Sequence, residues 1–405
     1  MGLTVAAALT LAAQNQIAPA PSRADGPAPS QVEAPAPKQS RAANDRTPLS
    51  LFPVAVVWTL ALNNGMTAPP AYDGTRGYFP IEGDRIAAYD LTRGTRLWIA
   101  SARTNMEPAT GAGLLFIVEP DALAALRTSN GSIAWRLPFS EKLEVPLVWD
   151  NGWLVAATST GAVLAFRASD GALIWRHDIG APAHAQPALG ADRVYVSTSD
   201  ARVVALRVEN GAPIWDHRLG GPPNEILALD ERLYLGSKDN FFYCLNASDG
   251  KEEWRWRTGA DAIGRPVVDE RAVYFVSLDN VLRALNPNSG VQRWKSPLPL
   301  RPASGPVKAG ETIVVTGIGP TLRAYHAKDG KAAGDLPAGG EIAAPPHVFD
   351  DPSHVLPVLI VLTRDIAKGA TVTALTRSFE PAIAQIAPLP NVIPLLPAAP
   401  TLTKP

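Results

Sequence analysis

Cysteine is almost missing from this chain: Cys244 is the single one among 405 residues. A disulfide framework and a cysteine-based zinc site are therefore excluded. An excess of charge of either sign is missing too. The 37 basic and 38 acidic residues leave a formal net charge of −1, so no broad field draws the chain to nucleic acid. The apolar run Leu3 to Ala13 falls short of the roughly 20 residues that span a bilayer, and no transmembrane helix is expected. The short motifs of common catalysts are lacking: there is no Gly-x-Ser-x-Gly, no phosphate loop and no His-Glu-x-x-His. The six histidines are scattered. What remains is a globular composition able to build a substantial core.

The ends differ from the middle. Leu3 to Ala13 has the makeup of a secretory signal core without a positive n-region, and Ala12-Ala13 or Ala18-Pro19-Ala20 supplies a cleavage context. Residues 1–20 are thus expected to be a signal peptide. Residues 21–51 are rich in Pro and Ala and read as an extended linker, and residues 383–405 as a Pro-rich tail. The expectation is export to the periplasm or cell envelope, with no cysteine near this start to carry a lipid.

The middle is a repeat. Ala-x-x-x-x-x-Gly-x-x-x-Trp recurs about every 40 residues, a period that signals a propeller or a stacked array. Its copies are Ala88, Gly94, Trp98; Ala125, Gly131, Trp135; Ala165, Gly171, Trp175; Ala205, Gly211, Trp215; Cys244, Gly250, Trp254; and Ala284, Gly290, Trp294. Ala324, Gly330, Gly334 keeps the spacing without the Trp. Trp58 precedes the first copy and Ala374 follows the last. Each Gly, usually after Asp or Asn, predicts a tight turn between two short strands. Each Trp reads as structural glue between units, with the small residue at the Ala position leaving room for a neighbouring indole plate.

Two further strands precede each copy. Leu114 to Val118, Trp153 to Ala157 and Arg193 to Val196 are examples of the second strand. Before these lie proline-bearing segments, at Pro69-Pro70, Pro108, Pro146, Pro187, Pro266, Pro306 and Pro345-Pro346. Proline cannot donate to a ladder and belongs on an edge, here the strand that faces a central channel. The count predicts an all-β, eight-bladed propeller over residues 52–382. The last blade lacks an outer strand. Pro53 to Trp58 supplies it from the other end of the chain, closing the ring.

The complete copy Ala88-Tyr89-Asp90 through Gly94 and Trp98 resembles the tryptophan-docking repeat of the quinoprotein-type propellers. That superfamily includes the BamB family of outer-membrane assembly factors and the pyrroloquinoline-quinone dehydrogenases. WD40 propellers are a poor match, because their Gly-His signals are absent. The dehydrogenase resemblance implies a quinone under a vicinal cysteine pair, which one cysteine cannot make. It also implies Ca²⁺, which takes six to eight oxygen ligands.

The inner segments place Glu107, Glu144, Gln186, Glu225 and Arg265 in different blades, as candidates for one ring of the channel. Of these, Glu107, Glu225 and Arg265 are the candidate ligand residues. His177-Asp178 and Asp216-His217 are not preset pairs, since strand neighbours point to opposite faces. His184 and His347 lie near inner strands. The leading expectation is a non-enzymatic extracytoplasmic scaffold and a monomeric ring, partnered by envelope proteins that include an outer-membrane β-barrel insertase. Gly220 to Asn224 and Gly259 to Arg265 are its candidate docking loops. The alternatives are a small-ligand-binding or sensory propeller, and a compact quinone- and Ca²⁺-dependent dehydrogenase. No catalytic residue, metal site or resident cofactor is assigned.

Overall fold

A computed structural model describes residues 50–378 except 352, 355 and 366–368. The expected signal peptide, most of the expected linker and the expected Pro-rich tail lie outside these residues. The described chain forms eight antiparallel sheets. Blade 1 is representative, with strands Ala71–Asp73, Arg76–Ile81, Arg85–Asp90 and Thr95–Ser101 paired in sequence order. Blades 2 to 7 repeat this order with proline at or near the innermost strand. In blade 8 the inner strand is split into Glu341–Ile342 and His347–Phe349, on either side of Pro345-Pro346.

The ring closes as expected. Val54–Ala61 pairs antiparallel with Gly369–Arg377, bringing Trp58 opposite Ala374. The chain just before this strand forms a latch onto blade 7. Leu51 N–H donates to Thr312 Oγ1 at 2.9 Å, and Arg377 Nη1 donates to the carbonyls of Ser50 and Phe52.

The second and third strands read as continuous apolar runs because both of their faces are covered. Val203 to Leu206, for example, are all buried. The core is accordingly divided among the blade interfaces. One apolar cluster joins blades 1 and 2 through Tyr78, Ala88, Trp98, Leu115 and Ile117, and another joins blades 3 and 4 through Val155, Trp175, Val194 and Val204. Eight such clusters serve eight junctions.

The docking geometry differs from expectation in one respect. Each Ala sits directly across the ladder from its own blade's Trp, as Ala205 does from Trp215. The plate itself lies on the Gly of the next blade. A Cβ added at Gly94, Gly131, Gly171, Gly211, Gly250, Gly290 or Gly330 would come within 2.4–2.8 Å of the preceding blade's indole. These glycines also have φ between +66° and +76°, so two independent demands exclude a side chain there. The turn is wider than a two-residue hairpin: Gly211 N–H donates to the Arg207 carbonyl, with a bulge between Ala205 and Leu206. That extra width carries a carbonyl to the indole. Trp58, Trp98, Trp135, Trp175, Trp215, Trp254 and Trp294 each donate Nε1–H to a carbonyl of the next blade at 2.6–3.1 Å.

Candidate functional site

The inner strands of the blades contact one another around the axis and enclose a cavity of about 870 Å³. Bulges aim residues into it. In blade 5, Pro223 pairs with Ser237 and Ile226 with Leu235, so Asn224 and Glu225 stand opposite the single residue Gly236. In blade 6, Ile263 pairs with Val276 and Val267 with Tyr274, so Gly264, Arg265 and Pro266 stand opposite Phe275 alone. Excess residues of this kind bend a strand and re-aim its side chains. Gly264 has φ +67°, and a Cβ there would meet the Gly305 backbone of blade 7 at 1.9 Å. Arg265 is thereby fixed at the tight joint between two blades.

Four of the five inner-segment candidates meet in this cavity: Glu107, Gln186, Glu225 and Arg265. Glu144 does not. It is exposed in the connection before the inner strand of blade 3 and pairs with Lys142 at 2.9 Å. The connection ends in a bridge between Leu143 and Thr158, before the residues that turn inward. Gln186 is positioned by its Nε2 bond to the Leu147 carbonyl at 2.7 Å, and Asn224 Nδ2 donates to the Ala262 carbonyl. Burial pushes the Glu107 carboxyl above its ordinary range. Arg265 is reachable from solvent, yet desolvation lowers its affinity for the proton, partly offset by the charge of Glu225.

Two wall residues were not singled out in the sequence. Trp149, on the inner strand Val148–Asp150, presses its indole against Gly111 of blade 2, and its Nε1 is buried without a hydrogen-bond partner. A sequence signal existed: Trp149, Trp153 and Trp256 are the three of ten tryptophans outside the docking register. Tyr72 stacks on His347 across the junction of blades 1 and 8, with ring centroids 4.0 Å apart and planes at 4°. His347 and Tyr72 line a smaller cavity that also contains Glu107 and Pro345, two residues of the axial wall. Burial lowers the His347 pKa to about 4 and raises that of Tyr72.

The other candidates lie elsewhere. His177 and Asp178 are neighbours on an outer strand, and Asp216 is paired with Arg202 at 2.6 Å. His184 lies just before the inner strand of blade 4, where burial and Lys238 depress its pKa. Of the two expected docking loops, residues 223–229 and 262–268 are strand. The short turns that remain are tied down: Gly220 N–H donates to Asp239 and Gly259 N–H to Asp279, each at 3.0 Å.

A quinone–calcium centre does not fit this channel. The sole cysteine is buried at a blade-packing position, its thiol pushed up to about 12 by burial. The acids on the axial wall, Glu107, Asp150 and Glu225, stand on blades 2, 3 and 5, and among the described residues no three His, Cys, Asp or Glu side chains are grouped to hold a metal ion.

The family model for outer membrane protein assembly factor BamB matches residues 82–228 and 226–342, most of the ring. The chain belongs to the BamB family. Among solved structures, BamB from Moraxella catarrhalis is 18% identical with a TM-score of 0.66, covering 80% of this chain and 99% of that one. The computationally designed Ika8 protein is 12% identical, with a TM-score of 0.64 over 78% and 97% of the two chains. Quinohemoprotein alcohol dehydrogenase from Comamonas testosteroni is 14% identical, with a TM-score of 0.62 over 80% of this chain and 76% of that one. At these identities the structures share the propeller fold with this BamB-family chain. No curated protein matches the sequence.

Proposed function

We propose that this propeller is a non-enzymatic scaffold of the cell envelope that takes part in outer-membrane protein assembly and docks onto a β-barrel insertase. The observation that carries the reading is the family match across both halves of the ring. The BamB structure is covered almost end to end, whereas the quinohemoprotein dehydrogenases extend well beyond what this chain matches. Residues 1–20 direct export in this reading, and residues 21–51 link the ring to its start.

The docking face we assign is the circumference of four consecutive blades. On the outer strands of blades 8, 1, 2 and 3, Val56, Leu97, Ile99, Ile133 and Leu173 are exposed. Among the outer strands of blades 4 to 7 and the residues beside them, Val291, just before the outer strand of blade 6, is the one exposed large hydrophobic side chain. Outer strands end in unpaired backbone groups, and an apolar free edge suits a partner that adds a strand. Depletion of the protein should lower the amount of folded β-barrel protein in the outer membrane. Expression of the wild-type chain should restore it, and L97D/I133D should not. Full restoration by that variant would remove the assigned face. Unchanged barrel levels on depletion would remove the function.

A further inference from the structure

The axial cavity has a charge arrangement that the scaffold reading does not use. Glu107 belongs to blade 2 and Arg265 to blade 6, and both line one cavity. In a ring of eight blades these are four steps apart, so they occupy opposite walls. Among the described residues, neither side chain has a hydrogen-bond or ion-pair partner within 4 Å. The Arg265 guanidinium senses Glu225 only at longer range. Beside Glu107, on blade 3, the buried Trp149 Nε1 is a donor without an acceptor. Glu107 is half-buried and Arg265 is open to solvent, so neither needs a partner within the protein and both stay free to meet a solute that enters the cavity. The wall is built to hold them: bulges aim Glu225 and Arg265 inward, and the Gly264–Gly305 and Gly111–Trp149 contacts leave the backbone no slack.

We infer that the axial cavity binds a small linear zwitterion, its ammonium end at Glu107 and its carboxylate end at Arg265. The cavity is within the range that accommodates small molecules. A guanidinium offers a carboxylate two parallel hydrogen bonds. An ammonium at Glu107 would hold that carboxyl ionised in spite of its burial. Gln186, whose Nε2 is already held by the Leu147 carbonyl, offers its amide oxygen as an acceptor between the two ends.

The probes are diglycine, triglycine and tetraglycine, titrated calorimetrically into the purified full chain, with 1,4-diaminobutane and succinate as controls. One glycine peptide should bind, and its N-acetyl and C-amide forms should bind at least about tenfold more weakly, as expected for the loss of a charged hydrogen bond. Glu107→Gln and Arg265→Gln should each weaken binding about tenfold or more. The melting temperature of each variant shows whether its ring is still folded. The inference is overturned if no peptide binds at millimolar concentration. It is also overturned if the diamine or the diacid binds more tightly than every peptide, or if binding survives both charge substitutions in folded protein.

Discussion

At the scale of single residues, the docking tryptophans and the glycines beneath them carry the most predictable energy. Trp175 is buried, donates to the Val208 carbonyl at 2.6 Å and lies on Gly211. Trp175→Ala should cost about 3–5 kcal/mol in denaturant unfolding, as large aromatic truncations in cores do. A loss well below that range would mean that the indole does little for the junction. His347 gives a pH dependence of definite sign. Its folded pKa, about 4, lies below the ordinary 6.5. The unfolded chain therefore takes the proton first as pH falls. Stability is unaffected by this residue above pH 6.5 and declines from there to about pH 4, on the order of 3 kcal/mol in all. His347→Phe retains a ring against Tyr72 and removes the titration. Its melting temperature should fall less than that of the wild type across this window, and parallel curves would exclude the effect. Glu107 has the opposite sign. Its folded pKa is raised, so its contribution worsens as pH rises through and above the ordinary carboxyl range. Glu107→Gln should accordingly be more stable than the wild type near neutral pH, as a residue retained for binding rather than packing would be.

At the scale of elements, the junction of blades 7 and 8 is the exception to the docking rule. Blade 7 has Gly334 where the others have Trp, and Val314 where blades 1, 4, 5 and 6 place a Tyr beside the indole. Phe52 fills the gap: a Cβ at Gly334 would lie 2.5 Å from its ring. No indole N–H bond accompanies it, so amide exchange over residues 320–340 should be faster than over 160–180. Phe52→Ala should speed exchange selectively in blades 7 and 8. Equal protection of the two segments would show that the latch replaces the lost tryptophan fully. The blade count, the strand order and the closing strand were legible in the sequence, because the repeat prints them at fixed offsets from each Gly and Trp. Phe52 was not, since a lone aromatic at the edge of a Pro-rich stretch has no periodic partner. The role of Gly as the seat of the indole was also hidden, because the contact crosses from one blade to the next. The channel was half legible. Prolines marked the inner strands, but whether a residue beside them turns inward depends on bulges, which admitted Glu225 and Arg265 and left Glu144 outside.

At the scale of the whole molecule, a ring with eight interface cores is a rigid carrier, and its exposed apolar side chains on outer strands are confined to four adjacent blades. Such an asymmetry suits a partner that grips one arc. The polar axial cavity stands apart from that arc, so a channel ligand and a docked protein need not compete. Glu107→Gln and Arg265→Gln should therefore leave partner capture intact, and L97D/I133D should leave the affinity of the axial cavity for its peptide unchanged. The central claim is the partnership itself, and its most direct test is cross-linking of the tagged chain in its native envelope followed by mass spectrometry, with photo-reactive residues at Leu97 and Ile133 and, as a control, at Lys238. The account predicts recovery of an outer-membrane β-barrel insertase from the first two positions and not from the third. Failure to recover it from either position, under conditions that capture known envelope contacts, would contradict the account.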